Sequence, residues 1–134
     1  MAQMTIELGQ VSSTTSEARV RTHRVPIDRP LDKGGTDIGP MGGELFLAAV
    51  GGCFMSNLLA AIRARAADVS DVRTTVVGTI ESTPGRFSKV ELHVEAKGNA
   101  EEIARLVDIA DRGCIMMNTL RGKLEVNIRS HVAV

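Results

Sequence analysis

Eighteen consecutive residues without a formal charge, Leu45 to Ile62 (LFLAAVGGCFMSNLLAAI), limit what this chain can fold into more than any other segment. A run of that length is at the threshold for crossing a bilayer. Its composition argues against a span. Gly51, Gly52, Ser56 and Asn57 interrupt it, its alanines lower its hydrophobicity, and Arg63 and Arg65 follow at once. An apolar helix of this kind is expected to be buried on all its faces, enclosed by sheet or by a second subunit. Ala48, Ala49, Gly51 and Gly52 would permit close backbone approach, so a homodimer with its central helices near the partner is the expected assembly.

The rest of the chain can supply a core. Its 134 residues, 43% apolar and 24% charged, suit one globular domain over residues 1–134. Sixteen basic residues balance sixteen acidic ones, and three Phe stand without Tyr or Trp. That leaves no electrostatic footprint or stacking platform for nucleic acid, and no basic surface for an anionic membrane. Met1 to Gln10 lacks a basic segment followed by an apolar run, so no secretory signal is read and a cytoplasmic location is expected. A stable structural disulfide is disfavoured there.

The element order reads strand, helix, strand, helix, strand. Thr5 to Leu8 and Glu17 to Ile27 carry alternating or β-branched residues, and Pro26 and Pro30 mark where pairing stops. Asp32 to Gly43 (DKGGTDIGPMGG) holds five glycines and forms the loop into the central helix. Beyond that helix, Val72 to Glu81 and Arg86 to Ala96 form a hairpin around Ser82 to Gly85. Val90, Leu92 and Val94 alternate with Lys89, Glu91, His93 and Glu95, the pattern of an antiparallel sheet wet on one face. Asn99 caps a second helix whose Ile103, Leu106, Val107 and Ala110 form an apolar stripe ending near Gly113. Leu124, Val126 and Ile128 give the last strand. Helices grouped against a mainly antiparallel sheet make an α+β fold.

Cys53 and Cys114 are the only cysteines, and neither has zinc-ligand spacing. They are a redox pair or two inert core thiols. His23, His93 and His131 are scattered, and no metal site is expected from them. Met116 and Met117 beside Cys114 are read as core filler.

Residues 34–53, GGTDIGPMGGELFLAAVGGC, and residues 110–120, ADRGCIMMNTL, resemble the two cysteine motifs of the OsmC/Ohr family of osmotically inducible and organic-hydroperoxide-resistance proteins. The resemblance runs from the Gly-rich loop to the final strand. It implies an OsmC-like α+β fold, a mainly antiparallel sheet around a central helix, in an intertwined homodimer with its sites at the subunit interface. The implied activity is that of a thiol peroxidase acting on organic hydroperoxides or hydrogen peroxide, with Cys53 peroxidatic and Cys114 resolving. A dithiol reductant, small or carried on a lipoylated protein, would complete the cycle, and no cofactor is implied.

A free thiol has a pKa of about 8.5, so a cation or helix-terminal field must favour the thiolate. The family supplies an arginine held by a glutamate. Here Gly42 and Gly43 occupy the family's proline and glutamate positions. Arg29, nearest the loop, is the expected cation, with Arg19, Arg21, Arg24 and Lys33 as alternatives. Glu44 is read as a structural position, because nine helical residues would set it and Cys53 about 13.5 Å apart on opposite faces. The departure at Gly43 also admits a second reading: a protein that keeps the fold, has lost or altered the reaction, and binds small apolar ligands at the dimer interface.

Overall fold

The β-forming run from Glu17 to Ile27 breaks at Arg21, whose φ of 55° lies in the left-handed region, and the chain reverses there. The computed structural model describes all 134 residues as an α+β protein of two compact units, Met1–Phe46 and Leu47–Val134. In the first unit, β1 (Glu7–Gln10), β2 (Ser16–Val20) and β3 (His23–Ile27) form an antiparallel meander in that order. The N-terminal hairpin or meander that the sequence suggests over Thr5 to Leu8 and Glu17 to Ile27 is a meander, with the second run split into two strands. Pro26 lies inside β3, opposite Glu17, which an edge strand tolerates because only one side of its backbone is paired.

Asp28 organises the loop that follows. Its carboxylate accepts hydrogen bonds from the Thr36 hydroxyl, the Thr15 hydroxyl (3.0 Å), and the backbone N–H groups of Arg29 (2.7 Å), Thr36 (3.1 Å) and Ile38 (3.4 Å). Five donors on one buried carboxylate tie β2, β3 and the Gly-rich segment together. The glycines are needed where that segment doubles back. A Cβ on Gly35 would sit 1.9 Å from the Arg29 carbonyl oxygen, and one on Gly39 2.3 Å from that of Pro26.

Helix α1 (Gly42–Ala64) starts at the end of the first unit and continues in the second. Glu44 accepts a hydrogen bond from the Met41 N–H at 2.8 Å, satisfying one of the donors that a helix start leaves open. Its carboxylate is thus a helix-terminal device. By length and composition α1 could cross a membrane, with a mean hydropathy of 2.0, yet Val50, Phe54, Leu58 and Ala61 are buried inside the protein.

The second unit holds the sheet β4 (Ser70–Ser82), β5 (Gly85–Lys97) and β6 (Glu125–Val132), with β5 central. Helix α1 runs along β4 with a matched step. Leu47 Cδ2 lies 3.0 Å from where a Cβ on Gly78 would be, a Cβ on Gly51 would stand 2.7 Å from Val76 Cγ2, and Thr74 Oγ1 donates to Met55 Sδ at 3.0 Å. Four helical residues rise about 6 Å and two strand residues about 6.6 Å, so every fourth position of α1 meets every second one of β4. The same sheet face presents Val90, Leu92 and Val94, fully buried as their alternation requires.

Helix α2 (Ala100–Arg112) begins at Asn99, whose side chain accepts from the Glu102 N–H, and buries Ile103, Leu106, Val107 and Ala110. It packs against β6 and the short α3 (Ile115–Leu120).

The β4–β5 pair is antiparallel, but β6 runs parallel to β5, because α2 and α3 carry the chain back to the end from which β5 started. Within the chain, α1 is buried on one side. Ala48, Ala49, Gly52, Ser56, Leu59 and Ala60 are exposed, since a three-stranded sheet covers a helix from one side only.

The hydrogen bonds on Asp28, led by that from Thr36, hold its carboxyl well below the usual carboxylate range. A folded-state value lowered in this way contributes stability that is full above the unfolded value of about 4 and is lost as pH falls below it. Asp28→Ala, which strands two hydroxyls and three N–H groups, is expected to lower the thermal midpoint by several degrees at pH 7. Scanned downward from about pH 4, wild type should lose midpoint more steeply than the variant, and parallel acid profiles would count against the network.

Candidate active site

Cys53 lies in the middle of α1, and its side chain is partly exposed. Cys114 is fully buried at the N-cap of α3, where Gly113 ends α2 and the chain turns. The Cys114 thiol donates to Cys53 Sγ across 3.3 Å, and both cysteines are free thiols. The two elements arrive from opposite ends of the second unit's sequence, 61 positions apart. A half-buried cysteine is thus set directly against a fully buried one.

Burial pushes the Cys114 thiol pKa up, since an anion there would lack water. The Met117 N–H opposes this rise, while adjacent Cys53 adds to it. Cys114 is therefore held as a proton-bearing thiol at neutral pH. Beside the pair, Asn57 Nδ2 donates to the Cys53 carbonyl oxygen at 2.9 Å and lies 4.0 Å from Cys53 Sγ. No charged residue occurs in α1 between Glu44 and Arg63.

Arg29 is exposed in the first unit, on the loop organised by Asp28. Its guanidinium makes no ion pair, whereas Arg24 is held by Glu17 at 2.7 Å. Arg29 lines a cavity of about 500 Å³ together with Lys33, Met41, Gly42 and Gly43. The structure thus brings Cys53 and Cys114 together and gives Arg29 no carboxylate partner.

Sequence reasoning missed two polar residues. Asn57 carries a readable signal, being four positions after Cys53 and hence on the same helix face. Asp28 carries none, because its donors come from Thr15, Thr36 and Ile38, which no periodicity links to it.

A family model described as OsmC-like protein matches residues 34–129. No curated protein matches the sequence. Among solved structures, an OsmC-like protein from Mycoplasma pneumoniae is 18% identical with a TM-score of 0.86, over 99% of each chain. An organic hydroperoxide resistance protein OsmC from Legionella pneumophila is 24% identical with a TM-score of 0.74, over 100% of each chain. The organic hydroperoxide resistance protein OhrB of Bacillus subtilis is 20% identical with a TM-score of 0.67, over 97% of this chain and 100% of that one. At these identities the likeness shows the fold.

The exposure of the two sulfurs sets an order of labelling. Iodoacetamide at neutral pH should modify Cys53 and leave Cys114 intact until the protein is unfolded, as read by peptide mass spectrometry. A buried thiol with a raised value favours folding below its unfolded pKa of about 8.5 and stops doing so as pH rises through the folded value. Stability of the reduced protein should accordingly decline on the alkaline side more in wild type than in Cys114→Ala.

Proposed function

Because this chain belongs to the OsmC family of OsmC-like proteins, we propose that it is a thiol-dependent peroxidase that reduces organic hydroperoxides or hydrogen peroxide through Cys53 and Cys114. The observation that carries this reading is the 3.3 Å separation between the sulfurs of a half-buried and a fully buried cysteine. Cys53, as the thiolate, attacks the terminal oxygen of the hydroperoxide. The O–O bond breaks, the alkoxide takes a proton and leaves as alcohol, and Cys53 becomes a sulfenic acid. Cys114 then attacks Cys53 Sγ; its thiol proton leaves with the displaced hydroxide as water, and a Cys53–Cys114 disulfide forms. A dithiol, small or lipoyl-borne, reduces that disulfide by exchange and is itself oxidised.

Burial suits Cys114 to this part, since a thiol kept protonated and out of solvent does not compete for peroxide. Arg29 is proposed as the cation that favours the Cys53 thiolate, supported by the lack of any ion pair to its guanidinium. A reducing cytoplasm fits a cycle that starts from two free thiols.

Stoichiometric cumene hydroperoxide or hydrogen peroxide, added to reduced protein, should convert both thiols into one Cys53–Cys114 disulfide. Cys53→Ser should abolish the reaction, and Cys114→Ser should accumulate over-oxidised Cys53. Thiols that survive a modest peroxide excess for many minutes would overturn the peroxidase reading. The fold would then be serving a ligand-binding role, consistent with Gly43 at the family's glutamate position.

The exposed, mostly apolar side of α1, formed by Ala48, Ala49, Gly52, Leu59 and Ala60, supports a homodimer formed through this helix. An added Cβ at Gly52 meets nothing within 4 Å, so the single chain tolerates a side chain there. Gly52→Arg is expected to keep its circular dichroism spectrum while light scattering at micromolar concentration falls from dimer to monomer mass. A monomeric wild type would refute the dimer, and a dimeric variant would refute contact at this face.

A further inference from the structure

Asn57 has no part in the reaction just described, yet its carboxamide is hydrogen-bonded beside the thiol pair. Its orientation is fixed by chemistry. The Cys53 carbonyl oxygen can only accept, so the atom 2.9 Å from it must be the amide nitrogen. That nitrogen carries two N–H groups, and Cys53 Sγ lies 4.0 Å away. The amide oxygen faces the turn before Cys114, in van der Waals range (3.6 Å) of where a Cβ on Gly113 would stand. Asn57 is thus lodged between the helix that carries one sulfur and the turn that carries the other.

We propose that Asn57 is a positioning residue for the thiol pair, anchored on the Cys53 carbonyl and directing its amide dipole at Cys53 Sγ to favour the thiolate. This rests on the peroxidase reading for its purpose, but not for its test. Cys53 Sγ has two donors, the Cys114 thiol at 3.3 Å and the Asn57 amide. The first is consumed when the disulfide forms, whereas an amide N–H does not titrate and is present throughout. With no charge on α1 from Leu45 to Ile62, fixed dipoles are what that stretch of helix can offer a sulfur anion. No bond to Asn57 forms or breaks; the electron pair passes from Cys53 Sγ to the peroxide oxygen as before.

The test is the rate of Cys53 alkylation by iodoacetamide, followed by mass spectrometry across neutral and alkaline pH, in wild type, Asn57→Leu and Asn57→Asp. A charge-assisted hydrogen bond of long geometry predicts an alkylation rate about three- to tenfold lower at pH 7 in Asn57→Leu, with the profile moved to higher pH. Asn57→Asp keeps the side chain's shape and should move the profile further, because its carboxylate repels the thiolate. It reads the charge effect even where leucine loosens the helix. A structural role alone would change the unfolding midpoint without moving the profile. Wild-type alkylation across the whole pH range in both variants overturns the proposal. Alkylation needs no peroxide, so loss of the peroxidase reading leaves this result legible, and a protein that reduces peroxide with an unmoved alkylation profile rejects Asn57 alone.

Discussion

The matched step between α1 and β4 is the constraint on which the second unit depends. Leu47 over Gly78, Gly51 over Val76 and Met55 over Thr74 put the helix in register with the strand over two helical turns. Sliding α1 by one residue would rotate it by about 100° and bring a side chain down where Gly51 now leaves space. Beside that line, Phe54 and Leu58 are nearly or fully removed from water, each contributing about 2–3 kcal/mol by the usual area arithmetic. The azimuth of the helix is therefore fixed by apolar contact. Cys53, next to Phe54, is left half out of the core as a consequence of packing.

Cys114 is fixed by an independent anchor. The stripe Ile103, Leu106, Val107 and Ala110 secures α2, Gly113 ends it, and Cys114 caps α3 while the neighbouring Met117 is buried without any exposed surface. The pairing of the sulfurs is thus a point where two packing solutions meet, with Asn57 and Gly113 filling the space between them.

Much of this was legible in the sequence because it depends on local pattern. The alternation at Val90, Leu92 and Val94 identified the buried sheet face, the Ser82 to Gly85 segment identified the hairpin, and Asn99 with two following glutamates identified the start of α2. Pattern could not give direction. Alternating residues look the same in a parallel and an antiparallel strand, so the alternation at Leu124, Val126 and Ile128 gives β6 without its sense, and the structure sets it parallel to β5. Hydrophobicity without a polar face likewise says that α1 avoids water and not what covers each side; the chain covers one. The Asp28 network leaves no local pattern in the sequence, because its donors are scattered from Thr15 to Ile38 and are gathered only by the folded loop.

The sequence distance between the two sulfurs has an energetic meaning of its own. A bond between Cys53 and Cys114 would close a loop of 61 residues containing all of β4, β5 and α2. In the chain-entropy picture, such a crosslink removes about 4 kcal/mol of freedom from the unfolded ensemble. Because the sulfurs already stand 3.3 Å apart in the reduced state, closure asks little rearrangement of the fold. The oxidised molecule would then be the harder one to unfold, and by thermodynamic linkage the folded chain would hold its disulfide against a reductant more firmly than the unfolded chain could. How readily a dithiol reopens that bond is therefore coupled to how well α1 and α2 are packed.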